Sequence, residues 1–369
     1  VAAESYRYRV TGDPDARSNV IKSLGCLLAL EAVTGKPGFV ARFVGPAAPP
    51  FLGDPSGCLD AQDCHVLGAG PFAGNYWIGN TSKDQYLGWF YGMAHAHEFV
   101  LTEPGDAALR AEVEGAVARV VDTTRADGYM ITDPDGTVST KGPEIFGHYA
   151  LAFHLVAAAT VGGPYAAMMP QIYAEQLLSY LVLTNYSTFR YLGNYFNHHL
   201  GHLAQHMTMR YEPDPVLHKA HQSMHRQRLY RYVRDTGQTF YDYIAWGEAG
   251  YAATPEQIAG AKQVLTEFAP APRRDLHPDQ GPWEPDPAIV EINALFTLLN
   301  DLFGADLELL DLAPANPWPM AKRCVNGFIW QHRPWEVCPP SRPLFENDGA
   351  DYLIAYWLGR YHGFLDATD

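Results

Sequence analysis

Cations are scarce in this 369-residue chain: 26 Lys and Arg stand against 41 Asp and Glu, a formal net charge of −15. Nucleic acid and anionic membrane surfaces are bound through a basic footprint that neutralises phosphate, and none is written here. Also missing is any run of about 18 uninterrupted apolar residues, so no segment is expected to span a bilayer. No Gly-rich phosphate loop, nucleophile elbow, HExxH pair or zinc-finger spacing occurs, which leaves nucleotide chemistry without support. No Ser/Gly linker or charge run divides the chain, and no repeat of fixed period is present, so one domain over residues 1–369 is expected.

What the chain has in quantity is core material. Hydrophobic residues make up 47% and charged residues 18%, with 8 Trp, 22 Tyr and 17 Phe, the profile of a well-packed globular protein. Of the five cysteines, Cys58 and Cys64 sit in a Gly/Pro-rich loop and Cys324 and Cys338 flank another irregular stretch. Two local disulfides, Cys58 with Cys64 and Cys324 with Cys338, are the simplest account, with Cys26 a buried thiol in an apolar helix. Because Val1 opens the chain without a methionine or hydrophobic leader, the pattern is read as that of a secreted or periplasmic protein whose signal peptide has been removed. His65 follows Cys64, but the Cys58–Cys64 spacing is wrong for haem attachment.

Helical periodicity dominates. Asp214-Pro215, Thr254-Pro255 and Asp286-Pro287 each pair an N-cap with proline at the first helical position, and Thr254 with Gln257 and Ser82 with Gln85 read as capping boxes. The spacing predicts helices near 17–34, 82–102, 106–126, 144–161, 165–184, 194–211, 215–234, 237–249, 255–268, 287–303 and 349–362, with strand signal confined to pieces such as Tyr129 to Thr132. Successive helices on short turns pack as antiparallel hairpins, and about five or six hairpins close into a ring. The expected fold is therefore all-α, an (α/α) toroid whose long loops (36–80, 270–286 and 312–345) cover one mouth.

Three segments carry a resemblance: Gly79-Asn80-Thr81-Ser82-Lys83-Asp84-Gln85-Tyr86-Leu87-Gly88; Gly128-Tyr129 running to Asp133-Pro134-Asp135-Gly136; and Tyr356-Trp357-Leu358-Gly359-Arg360-Tyr361-His362-Gly363. Together they resemble a group of uncharacterised exported bacterial proteins, over most of the chain from about residue 70. The resemblance implies a fold like the six-hairpin toroids of glycosidases and polysaccharide lyases, without implying an activity. Where that group tends to have Asn-x-Asn-Leu, this chain has Asn197-His198-His199-Leu200.

Three constellations are candidates for chemistry. Lys83 and Asp84 open a helix whose N-terminus favours an ionised carboxylate, so Asp84 is a candidate base or sugar-hydroxyl ligand. Asp133 and Asp135 flank a tight Gly136 turn, with Lys141 and Glu144 following; the carboxylates suit Ca²⁺ or a cleft, although a plain Asx turn accounts for the pattern with fewer ligands. On a helical wheel Asn194, Tyr195, His198, His199, His202, Gln205, His206 and Met209 share one arc, and the next helix carries His218, His221 and His225 on one side. Folded back antiparallel, His202 should lie near His225 and His206 near His221. These four would suit a transition metal such as Zn²⁺, Cu²⁺ or Fe; the alternatives are a histidine-lined substrate cleft or an incidental surface.

The leading functional reading is a carbohydrate-active, glycosidase-like enzyme in which Asp84 works with Asp133, Asp135, Glu144 or Asp348. Trp89, Tyr361, Asn194, Asn197, Lys141 and Arg360 are its expected substrate contacts. One alternative is a lyase or dehydratase in which Tyr195, His198 or His199 moves the proton and Asn194 or Asn197 polarises the substrate. Another is a metal- or ligand-binding protein without turnover. The partner in each case is a small molecule or oligosaccharide, not nucleic acid or a bilayer interior.

Overall fold

The computed structural model describes residues 1–49, 63–183, 195–271, 273–274, 278–324, 327–338 and 346–369. The fold is mostly helical, with short antiparallel strands. The chain divides into two compact units, Val1–Leu183 with Leu203–His218, and Thr184–His202 with Lys219–Asp369. No helix among the described residues is long and apolar enough to cross a membrane.

The first unit starts with α1 (Ala2–Thr11) and α2 (Pro14–Ala32). The Asp13 carboxylate caps α2 by accepting the Asp15 N–H at 2.8 Å. The helix expected near 17–34 is α2, and α1 was not expected; its N-cap, Val1, makes no side-chain cap bond. In α2 the buried stripe is Ala16, Val20, Leu24, Leu28 and Glu31. Cys26 lies two residues from Leu24, about 200° round the helix, so it is exposed and not the buried thiol expected.

Within the loop 36–80, β1 (Phe43–Pro46), β2 (Cys64–Val66) and β3 (Asn75–Ile78) form an antiparallel sheet in the order β1-β3-β2, with Val44 and His65 both opposite Trp77. Cys58 lies outside the described residues, and with it the expected Cys58–Cys64 pair.

After the sheet come α3 (Lys83–Phe99) and α4 (Ala107–Ala126). The Ser82/Gln85 capping box is present at the start of α3. From Tyr86 onward α3 is buried on nearly all sides, which makes it the central helix of its unit. Gly92 permits close packing, since a Cβ there would sit 2.7 Å from Leu27, whereas Gly88 has nothing within 4 Å. Trp89 is buried and its indole N–H donates to the Leu27 carbonyl at 2.9 Å. It is a core residue, which corrects its expected role against substrate. Next, α5 (His148–Thr160) packs on α6 (Gly163–Leu183), and Phe153 of α5 stacks on Phe90 at 4.1 Å.

Between α2 and the sheet, the buried Glu31 carboxylate accepts the Gly38 N–H at 2.8 Å and two Arg119 N–H groups at 2.9 and 2.7 Å. The arrangement fixes the chain where it leaves α2.

The helix α7 (Phe196–Tyr211) contributes residues to both units, and α8 (Pro215–Met224) runs on through a π-helical stretch, His225–Tyr230, into a final α turn, Arg231–Val233. The second unit is completed by α9 (Thr239–Gly247), α10 (Pro255–Thr266), a short β4–β5 ribbon (Arg273–Arg274 with Glu346–Asn347), α11 (Pro287–Phe303) and α12 (Ala350–Tyr361). Its core gathers Phe240, Tyr241, Tyr243, Ile244 and Trp246 of α9, with Gly359 of α12 lying against the Tyr243 ring. The caps read from Asp214, Thr254 and Asp286 are all made. Cys324 and Cys338 are disulfide-bonded.

Asp242, buried on α9, accepts a hydrogen bond from the Tyr230 hydroxyl at 2.9 Å. Burial pushes its carboxyl up from 3.8 to about 7, the Tyr230 bond opposing the shift. Between those values the folded chain holds a proton that the unfolded chain releases, so stability falls as pH rises from about 4 to about 7. Asp242→Asn retains an acceptor for Tyr230 and removes the buried charge. Its melting temperature is expected to match the parent near pH 4 and to exceed it above pH 7, by a gain on the order of 4 kcal/mol. Parallel pH–stability curves for the two proteins would contradict this account.

Candidate functional site

In the first unit, the start of α3 meets the segment 133–144 that carries the other candidate carboxylates, the Lys83 N–H donating to the Gly142 carbonyl at 3.1 Å. Asp84 is half-buried in the first turn of α3, and Lys83 lies 6.0 Å from the centre of the Tyr149 ring. Asp133 is engaged structurally: it accepts the Asn80 N–H at 3.0 Å, and burial raises its pKa. Asn80, at φ 50°, ties this turn to Asp63, Ser139 and Thr140 through its side chain. Asp135 accepts the Thr137 N–H and hydroxyl at 2.9 and 2.7 Å, an Asx turn. Lys141 and Glu144 are exposed, and Met130 and Glu144 form an isolated β-bridge.

The histidine stripe divides. His206 belongs to a buried cluster in which its Nδ1 meets the Tyr91 hydroxyl at 2.8 Å and its Nε2 the Tyr6 hydroxyl at 3.4 Å. Tyr6 also meets His95 Nε2 at 2.8 Å, while His95 Nδ1 lies 2.7 Å from the Tyr91 carbonyl. A carbonyl only accepts, so His95 carries its proton on Nδ1. A consistent circuit then follows in which Tyr6 donates to His95, His206 to Tyr6, and Tyr91 to His206. Both His206 nitrogens are thereby used by tyrosines, which corrects its expected place in a metal site.

In the second unit His202 Nδ1 and His225 Nε2 are 3.0 Å apart, as their facing stripes predict, and His202 stacks on Tyr241 at 4.1 Å. His221 is buried. Among the described residues no three His, Cys, Asp or Glu side chains are grouped to hold a metal ion. Arg360 stacks over Tyr356 and Trp357, with Tyr361 half-buried beside His362. Asn194 lies outside the described residues, and Asn197 is half-buried on α7.

One cavity does collect acid–base groups. It measures about 590 Å³, within the range of small-molecule sites, and its lining includes Tyr195, Phe196, Asp311, His332, Arg333 and Glu336. Tyr195 stands just before α7. Its hydroxyl oxygen accepts a hydrogen bond from Gln238 Nε2 at 3.0 Å, and the same amide donates to the His332 carbonyl at 3.0 Å. Burial raises the Tyr195 pKa, so the phenol stays protonated; with Gln238 occupying its oxygen, the proton has no acceptor among the described residues. His332 Nδ1 lies 3.0 Å from a Glu336 carboxylate oxygen, which orients that carboxylate.

Beside Tyr195, at 4.9 Å between ring centres, the His198 imidazole is pulled down to about 4 by burial and by the Arg333 charge. Burial takes His199 to about 3. Both are neutral at physiological pH, packed among Tyr195, Tyr232, Phe240, Tyr241 and Phe328.

Of the residues singled out by sequence, Tyr195 alone lines this cavity, with His198 behind it. Gln238, Asp311, His332, Arg333 and Glu336 were missed. The four-residue spacing of His332 and Glu336 was the one available signal, in a Pro-rich stretch without periodicity. Compared with protein-family models, curated proteins and solved structures, the chain matches none.

Proposed function

We propose that this is a carbohydrate-active enzyme of acid–base type, working in the Tyr195 cavity and cleaving glycosidic linkages by elimination. The reading rests on one observation: at the wall of a cavity of substrate size, the Tyr195 phenol keeps a proton that no described residue accepts. In the reaction Arg333 pairs with a uronate carboxylate and makes the adjacent C–H more acidic. Glu336, held by His332, removes that proton; the C–H electrons form the new C=C bond as the C–O bond to the leaving sugar breaks. Tyr195 protonates the departing oxygen, and the two protons are later exchanged with water.

A second reading is favoured by Asp311, which lines the same cavity as Glu336. Two carboxylates flanking a sugar suit hydrolysis, the glycosidase reading transferred from Asp84 to a different pair. The test is incubation of purified protein with uronate-containing and with neutral oligosaccharides. Elimination gives a new reducing end together with ultraviolet absorbance from a conjugated double bond, which is the expected result. Reducing ends without that absorbance favour hydrolysis, and absence of both on either substrate class overturns the enzymatic reading.

We further propose that the helices follow the (α/α) toroid plan and that the protein works in an exported compartment. Helical hairpins such as α5–α6 support the first and the Cys324–Cys338 bond supports the second.

A further inference from the structure

Asp242 lines a separate cavity of about 360 Å³ in the second unit. α9 supplies Thr239, Asp242 and Trp246 at positions i, i+3 and i+7, one face of the helix, and α10 supplies Glu256, Gln257, Ala261 and Val264. Asp235 completes the acidic rim.

Two buried groups in this cavity are incompletely matched by the chain. Asp242 bonds Tyr230 through one oxygen, and no described residue donates to the other. The Thr239 hydroxyl is fully buried and has no hydrogen-bond partner among the described residues. No lysine or arginine lines the cavity. The nearby Arg323 guanidinium directs its N–H groups to the carbonyls of Thr236, Gly237 and Trp318 and does not bond Asp242. A buried carboxylate without a bonded cation, a buried hydroxyl, and apolar walls from Trp246, Ala261 and Val264 describe a receptor for positive charge carried on a hydrocarbon body. With no three metal-donor side chains grouped among the described residues, a bare metal ion is the poorer match.

We propose that this cavity binds a linear aliphatic amine, with one ammonium group between Asp242 and Thr239 inside and, in a diamine, the second against Asp235 and Glu256 at the rim. The alkyl chain lies along Trp246 and Val264. An ammonium brings three donors, enough for the free Asp242 oxygen and the Thr239 hydroxyl together.

Protonation is coupled to this binding. The groups facing Asp242 are the Tyr230 hydroxyl and the Arg323 charge, which favour its ionised form, and Asp235, which opposes it; Glu256 and Gln257 face the cavity from α10. Because burial holds the carboxyl up to about 7, amine binding displaces a proton and should tighten as pH rises through that value.

The test is isothermal titration calorimetry of putrescine, with butylamine as the single-charge probe, on the full chain. Saturable one-to-one binding is expected, with putrescine tighter than butylamine. Asp242→Asn should weaken putrescine by about tenfold or more. Thr239→Val should weaken both amines by a similar smaller factor, and Asp235→Asn putrescine alone. Melting curves establish that each variant is folded. The proposal is overturned if neither amine binds, or if a folded Asp242→Asn binds putrescine as the parent does.

Discussion

A Gly38→Ala variant is expected to lose about 3 kcal/mol of stability or more, a loss that thermal melting would register as a fall of many degrees. Gly38 sits at φ +79°, where a side chain is strained, and a Cβ would lie 2.3 Å from the Arg119 carbonyl oxygen and 2.7 Å from the Thr123 Cβ. The carbonyl belongs to α4 and cannot turn aside. Any retreat of Gly38 also pulls its N–H from Glu31, whose carboxylate holds Arg119 in the same α4. Strain, collision and a loosened buried carboxylate therefore act together. Gly12→Ala is the control: its φ is +67° but nothing lies within 4 Å, so only strain of about 1 kcal/mol applies. Equal melting temperatures for the two variants would mean that the close approach at Gly38 is not as described.

Tyr195→Phe is expected to reduce turnover by about a hundred- to ten-thousandfold while leaving the fold intact. The substitution removes one oxygen, and Gln238 keeps the His332 carbonyl as an acceptor. An acid acting only in the transition state lowers kcat and leaves KM nearly unchanged. Because burial raises the Tyr195 pKa, the alkaline limb of the parent's rate profile should lie above the ordinary phenol value of about 10. Undiminished turnover in the phenylalanine variant would remove Tyr195 from the chemistry, whatever the product assay shows.

Helices were the legible part of this chain because their ends are chemically marked. Asp214, Thr254 and Asp286 each cap a helix with proline at its first position, and Ser82 with Gln85 closes a box. The strands of 43–78 carry no comparable mark: each is three or four residues long, below the length at which alternation can be told from chance. Sidedness was partly legible. It brought His202 to His225, but the residues that receive His206 come from Tyr6 and Tyr91, which local spacing does not connect to it. The cavity shows the same limit, since Tyr195, Gln238 and Glu336 are widely separated in sequence and are joined only through Gln238 and His332.

Cys324 and Cys338 enclose every residue from Gln331 to Val337 that lines the Tyr195 cavity. The bond is thus a clasp on one wall of the pocket. Closing a loop of this length withholds about 3 kcal/mol of conformational freedom from the unfolded chain. Were the bond reduced, Arg333, His332 and Glu336 would lose a restraint on their common backbone.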